Sequence, residues 1–250
     1  MNPKHIVSFS GGKDSTAMLL MMLEKDWPMD DIIFVDTTKE FPSMYDHIKR
    51  VENYIGREIT KVEIAFDYWL GKHVKTKGKN KGKIGYGWAD FRNRWCTGLK
   101  REAFVTTANK SKKYNPYHRY GLAGCPNTIE YHGIASDEAH RTKNNKYVDR
   151  IIKYPLVEWG ITEKQALEYC YAKGFDWDGL YEQFVRVSCF CCPFSRLGEL
   201  KTVYTKYPKL WQQIKKMDKK SYRKFRADYS LDELEKRFQK ECTQLTLCDQ

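Results

Sequence analysis

The feature that most constrains this chain is the run Ser10-Gly11-Gly12-Lys13-Asp14-Ser15. It follows a short β-rich stretch at residues 5–9 and opens residues 16–25, which read as a helix apolar nearly all round and therefore buried. A glycine pair between a strand and a helix makes a natural anion site. Gly11 and Gly12 can take φ > 0 and bring backbone N–H groups to an oxyanion with no Cβ in the way. The helix beyond adds the positive end of its dipole. Lys13 supplies a full charge, and Ser10 and Ser15 supply hydroxyl donors. The run is not a G-x-x-x-x-G-K-[ST] phosphate loop: too few residues precede the lysine, and Asp14 stands where a hydroxyl would bind Mg²⁺.

The surrounding pattern extends the strand–loop–helix unit. Residues 31–35 (DIIFV) read as a fully buried strand of the parallel-sheet kind. Met44, Ile48, Val51 and Ile55 then recur at helical spacing, and residues 60–66 alternate as a third strand. Strand and helix in alternation with short links imply an α/β fold, with a parallel sheet and right-handed crossovers. Residues 71–90 interrupt it with five Gly and six Lys and read as a flexible basic insertion. A helix is expected over 98–109, a polar stretch over 110–119, and a fourth strand over 129–134. Thr162 followed by Gln165 is a capping-box pattern. From Pro193 onward the chain reads as helical and basic, with Trp211, Ile214, Tyr222 and Phe225 as packing residues. The expected division is an α/β nucleotide-binding domain over 1–188 and a cysteine-motif, basic helical region over 189–250.

In such a fold, ligands meet the carboxyl ends of the strands. Asp36, at the end of the second strand, can accept from a ribose hydroxyl or hold Mg²⁺; a strand-end turn would place a carboxylate there as well. Gly133, closing the fourth strand, can let an adenine ring lie on bare backbone. Arg141 can pair bidentately with phosphate or sulfate oxygens, or with Asp137 four residues earlier.

The net charge of +12 is concentrated. Residues 71–83 carry six Lys and no acid, and residues 201–226 carry ten Lys or Arg against Asp218 alone. These segments hold +6 and +9, leaving the rest of the chain at −3. Two such runs point to a polyanion, nucleic acid among them, or to a solvated surface. Tyr and Trp interleaved with Lys and Arg from 204 to 229 can stack on bases. The longest apolar run, 17–23, is far too short to span a bilayer, and the N-terminal residues lack a secretory leader. A soluble, cytoplasmic protein without a membrane partner is expected.

Eight cysteines in such a chain favour metal or redox use over a disulfide framework. Cys189, Cys191 and Cys192 cluster in SCFCCP, and Cys96 lies in RNRWC. Four thiolates gathered by folding suit a [4Fe–4S] cluster or a structural zinc, which spacing alone does not separate. Cys125 is the reserve candidate.

Ser10–Ser15 resembles the PP-loop of the N-type ATP pyrophosphatases. An ordered series of segments resembles one branch of them, the phosphoadenylyl-sulfate (PAPS) reductase family. The segments are Val35-Asp36-Thr37 with Glu40-Phe41-Pro42, Trp95-Cys96 with Lys100, Gly133-Ile134 with Asp137-Glu138 and Arg141, Tyr154-Pro155-Leu156 with Trp159, and Cys189-Phe190-Cys191-Cys192-Pro193. The resemblance implies an adenine nucleotide α-hydrolase-like (Rossmann-like) core whose loop grips the terminal phosphate or sulfate of ATP or PAPS, with Lys13 and Arg141 in catalytic roles. It implies cluster ligation by cysteines, here Cys96, Cys189, Cys191 and Cys192 in place of an adjacent pair plus a CxxC. Glu241-Cys242 resembles the tail motif whose cysteine attacks the sulfate sulfur before reduction by thioredoxin. Ala135 departs from the arginine that many relatives carry after the Gly-Ile pair. Three functions remain open: a PAPS reductase-like enzyme, an ATP-dependent sulfurtransferase or nucleic-acid-modifying enzyme releasing AMP and pyrophosphate, and a non-catalytic nucleotide-dependent binding protein.

Overall fold

A computed structural model describes residues 3–108, 128–144 and 151–248. The polar stretch expected at 110–119 and the reserve thiol Cys125 lie outside these residues. Contacts divide the chain into two interleaved units. Unit one is Met1–Asp36, Phe41–Ile64 and Leu99–Tyr181; unit two is Thr37–Glu40, Ala65–Gly98 and Glu182–Gln250.

Unit one is built on the expected parallel sheet. Strands β1 (Lys4–Phe9), β2 (Asp31–Asp36), β3 (Thr60–Glu63), β4 (Thr128–His132) and β5 (Ile151–Lys153) lie in the order β3-β2-β1-β4-β5. Every pairing is parallel, with Val7 beside Ile32 on one side and Tyr131 on the other. Unbroken apolar runs such as Ile32–Phe34 are buried, as a sheet covered on both faces requires. The third strand stops at Glu63, short of the expected 66, because Phe66 opens helix α3 of unit two.

Helix α1 (Lys13–Glu24) buries Ala17, Met18, Leu19, Leu20 and Met22 completely or nearly so, each burial contributing about 1.5–3 kcal/mol for the larger side chains. Helix α2 (Pro42–Ile55) begins on Pro42, buries Met44, His47, Ile48 and Val51, and ends at Gly56 with φ 63°. The chain runs outward from β1 to β3 and returns with β4 beside β1. The strand order therefore reverses between β1 and β4, the switch point at which open α/β sheets bind ligands.

Helix α3 (Phe66–Gly71) lies in unit two, and α4 (Trp95–Ala108) sends Phe104, Val105 and Ala108 into a cluster with Ile6 and Ile33. After the short α5 (Pro155–Glu158), helix α6 (Glu163–Ala172) starts at the expected capping box. The Thr162 side chain accepts from Gln165 N–H, and Gln165 Oε1 accepts from Thr162 N–H. Helix α7 (Leu180–Gln183) is a single turn.

Unit two packs α8 (Leu197–Lys206), α9 (Pro208–Asp218) and α10 (Leu231–Cys248) around Trp211, Ile214, Phe225, Leu234 and Phe238. Tyr222, expected to pack, is half exposed. The basic insertion carries a fixed core: Trp88 is buried, and the Trp95 indole donates to the Gly87 carbonyl at 2.9 Å. Gly85, at φ 67°, passes so close to the Leu70 carbonyl that no Cβ would fit. No helix among the described residues is long and apolar enough to cross a membrane.

Candidate nucleotide loop and thiol turn

Residues 10–15 join β1 to α1 at the switch point. Gly11 has φ 77°, a conformation that favours glycine, and a Cβ there would lie 2.5 Å from Met44 Sδ and displace that side chain. Gly12 is the N-cap of α1 with extended backbone (φ −75°, ψ 165°), so the loop needs one left-handed residue rather than two. Ser10 and Ser15 meet hydroxyl to hydroxyl at 2.9 Å, and Ser15 Oγ donates to the Gly12 carbonyl at 3.0 Å. A Cβ on Gly133 would stand 2.8 Å from both Cα and N of Ser15. The end of β4 thus lies directly against the first turn of α1, and that side of Gly133 is filled by loop backbone.

Lys13 is 8 % exposed, and its Nζ pairs with Glu163 at 3.2 Å and Asp14 at 3.4 Å. Burial pushes the Asp14 carboxyl up to about 6 against the pull of Lys13, and the Glu163 charge raises it further. One buried cation is therefore shared by two carboxylates, of which Glu163 is the more exposed.

Side chains far along the chain brace this loop. Tyr181 accepts the Lys13 backbone N–H at 2.8 Å, and the Trp177 indole donates to the Gly11 carbonyl at 2.8 Å. The Cys170 thiol donates to the Lys13 carbonyl at 3.6 Å and is pushed up to about 12, mainly by burial. His47 Nε2 meets Thr16 Oγ1 at 3.0 Å and its ring stacks on Trp177 with centroids 4.4 Å apart. Burial, aided by Arg50, lowers His47 to about 3, so it is a neutral spacer. None of these four was assigned a role from sequence. Trp177 and Tyr181 share a helical spacing that signals packing, but nothing local points to a loop 166 residues away.

The remaining expected nucleotide residues lie in the same unit. Asp36 Oδ1 accepts from Tyr45 OH at 2.9 Å at the carboxyl end of β2. Arg141, in a 3₁₀ segment over Ser136–Asn144, is partly exposed and pairs with Glu138 rather than Asp137. Asp137 instead accepts the Glu163 N–H at the start of α6. Ala135 is fully buried.

In unit two, Cys189, Cys191 and Cys192 share one turn, closed by Cys192 N–H donating to the Cys189 carbonyl at 3.0 Å. Cys191 is buried, and its thiol is driven well above the usual range by burial and by the neighbouring Cys189 and Cys192. Cys189 Sγ lies 3.3 Å from Thr37 Oγ1 and 3.5 Å from Glu40 Oε1. The Phe190 N–H donates to the Lys39 carbonyl at 3.0 Å, so segment 37–40 backs the turn. Thr37 and Glu40, which carry no role in the sequence reading, thus meet the Cys189 thiol. Cys96 is the second residue of α4 and half-buried. A thiolate-only donor set has the chemistry that zinc or an iron–sulfur cluster takes. Among the described residues, no three His, Cys, Asp or Glu side chains converge to hold an ion. Cys242 sits within α10, where Glu241 is tied to Arg237 at 2.7 Å and Lys201 at 3.0 Å.

Residues 4–201 match the phosphoadenosine phosphosulfate reductase domain. The chain belongs to this family. A curated relative, the uncharacterized protein MJ0066 of Methanocaldococcus jannaschii, is 26% identical over 218 residues, covering 83% of this chain. The chain spans 40% of that relative's length. The solved U34-tRNA thiolase NcsA from Methanococcus maripaludis, with its [4Fe–4S] cluster, aligns with 95% of this chain and 73% of its own at 18% identity and a TM-score of 0.41. That membership is consistent with the PP-loop superfamily.

Proposed function

We propose that the Ser10–Ser15 loop binds the phosphate end of an adenine nucleotide, ATP or PAPS, and that the enzyme uses it in chemistry on sulfur. The observation that carries the reading is the placement of a buried lysine at a helix N-terminus on the sheet's switch point, with Gly133 leaving the loop backbone room to lie against β4. Backbone N–H groups at the start of α1 would hold phosphate oxygens, and Lys13 Nζ would exchange its two carboxylates for them. Asp36 would accept from the ribose or hold the Mg²⁺ that accompanies a polyphosphate. Arg141 would leave Glu138 for a phosphate or sulfate oxygen.

Two chemistries fit this site. In the reductase, a cysteine thiolate attacks the sulfate sulfur of PAPS, the adenosine bisphosphate leaves, and thioredoxin thiols reduce the resulting thiosulfonate to release sulfite. In the sulfurtransferase, a substrate oxygen attacks the α-phosphorus of ATP, pyrophosphate leaves, and a sulfur nucleophile then displaces AMP. The position of Cys242 inside a paired helix rather than on a free tail favours the second, as does a buried Ala135 in place of an arginine. Cys189, Cys191 and Cys192, with Cys96, are our candidates to hold a [4Fe–4S] cluster or zinc, which would supply thiolate-bound metal chemistry to sulfur. A non-catalytic binding protein has no observation in its favour.

Calorimetric titration with ATP–Mg²⁺ and with PAPS tests the reading. Binding of at least one, lost in Lys13→Ala, is expected; wild-type affinity in that variant would overturn the loop assignment. Sulfite release from PAPS with thioredoxin, abolished by Cys242→Ser, would decide for the reductase, and AMP plus pyrophosphate formation for the transferase. Iron, sulfide and zinc analysis after anaerobic purification tests the thiol assignment, with Cys189→Ser expected to lower metal content.

A further inference from the structure

The two lysine-rich runs, far apart in sequence, meet in unit two. Val74 pairs with Ile84 antiparallel, making a hairpin whose Lys77, Lys79, Lys81 and Lys83 are exposed. Lys75 turns inward instead: it is buried, donates to Tyr222 OH at 2.9 Å and lies 4.9 Å from that ring's centroid. At the hairpin's base, a Cβ on Gly71 would stand 2.9 Å from the Lys220 carbonyl, and one on Gly87 would stand 3.0 Å from Arg223 Cγ. Trp88 closes the junction. Its backbone N–H donates to Ser221 Oγ at 3.1 Å, and its indole donates to Asp218 Oδ1 at 2.6 Å. Asp218 is the sole acid of the second run, so that run's own counter-charge is spent inside the junction. Lys219 and Lys220 remain exposed beside the hairpin, and Lys224, also exposed, lies 3.9 Å from Glu233.

Exposed aromatic rings lie along the same surface, each beside a cation. Tyr222 is 51% exposed between Lys75 and Arg223, and Phe91 is 80% exposed with the Arg94 guanidinium 5.6 Å from its centroid. Arg223 pairs with Asp90, next to Phe91, and Arg94 also lies 4.6 Å from the Phe194 ring. Phe194 follows Cys192 closely in the thiol turn, and Arg226 fastens that turn by donating to the carbonyls of Pro193 at 2.9 Å and Ser195 at 2.6 Å. Cations and aromatic rings therefore recur from the hairpin to the cysteine turn, with Asp90 and Asp228 among them.

We propose that this face binds single-stranded nucleic acid, with phosphates on the hairpin and the 219–224 lysines, bases stacked on Tyr222 and Phe91, and the strand led to the thiol turn. Unpaired bases have free faces for such rings, whereas a duplex offers mainly its phosphates. The proposal goes beyond nucleotide binding at residues 10–15 and does not depend on it.

The test is fluorescence anisotropy with a labelled 20-nucleotide oligo(dT), the same strand in duplex, and heparin as competitor. The single strand is expected to bind at least 10-fold tighter than the duplex, with log K falling against log salt at a slope of about −3 if roughly four phosphates are neutralised. Lys79→Glu with Lys81→Glu should weaken binding more than 10-fold and flatten the slope. Phe91→Ala, at an exposed side chain that leaves the fold intact, should weaken it about 5-fold or more with the slope unchanged. A 4-thiothymidine photo-crosslink should map to residues 91–94 or 190–195. Equal binding of duplex, a silent Phe91→Ala, or crosslinks confined elsewhere would each overturn the proposal. Lys13→Ala should lose nucleotide yet bind oligonucleotide normally, which separates failure of this proposal from failure of the loop assignment.

Discussion

The nucleotide loop of unit one and the cationic face of unit two both suit anions, by opposite designs. In the loop, one lysine is buried and its charge already answered by Asp14 and Glu163. On the face, many lysines are exposed and the second run's one acid is turned inward to an indole. A buried site whose lysine is already paired can discriminate among small ligands, since each must replace specific partners. An exposed surface rich in lysine draws in any polyanion and answers strongly to salt. On the two proposals made above, one chain would pair a selective loop with a collecting surface.

That contrast can be broken most directly at Lys13. Lys13→Ala should weaken nucleotide binding about 100-fold, roughly 3 kcal/mol for a charged hydrogen-bonding group, as read by calorimetry. A loss of a few-fold would mean that backbone amides alone define the site. Next comes packing. Gly133→Ala must push a Cβ into Ser15 backbone and should cost about 2–3 kcal/mol in urea unfolding. Gly78→Ala on the hairpin has open space around its Cβ but a φ of 73°, so it should cost only about 1 kcal/mol. Equal costs would contradict the picture of a tight loop and an open hairpin.

A third test uses pH. The folded Asp14 carboxyl, at about 6, lies above its unfolded value of 3.8. Its protonated form is favoured by folding, so its contribution is present below 3.8 and lost as pH rises through 6. Asp14→Asn should therefore raise stability by about 2 kcal/mol at pH 7.5, with the gain fading near pH 4 in denaturant melts. His47 runs the other way. Its folded value of about 3 lies below 6.5, so its contribution is present above 6.5 and lost as pH falls toward 3. A gain at pH 7.5 that persists unchanged at pH 4 would count against the buried-carboxylate account. The smallest effect belongs to Tyr181→Phe, which removes the acceptor of the Lys13 N–H. It should cost about 1 kcal/mol of stability while raising nucleotide affinity a few-fold, because no phenol competes with phosphate; weaker binding would show that Tyr181 assists the ligand.

Much of the loop's setting was legible because it is local. Residues 5–9 and 31–35 carry the period of buried strands, and Thr162 with Gln165 announces the start of α6. Strand β5 has three residues, too few for any periodicity to register. The bracing of the loop by His47, Cys170, Trp177 and Tyr181 was hidden for another reason: each looks like an ordinary core residue until the chain closes on itself. Unit two was the least legible part. Its three segments are separated by stretches of unit one, and the meeting of Lys75 with Tyr222 across 147 positions leaves no trace in composition.

The bracing of the loop has a consequence for how the protein comes into being. The residues of the candidate anion site are made well before those that brace them: β1 pairs with β4 through Val7 and Tyr131, and Gly11 and Lys13 are held by Trp177 and Tyr181. Contacts so distant along the chain form slowly, after the cost of closing a long loop has been met. At about 5–20 residues per second of synthesis, the nascent site must wait many seconds for its far wall. The loop is therefore completed only when its distant braces arrive, and chains cut short before residue 181 would present it without Tyr181.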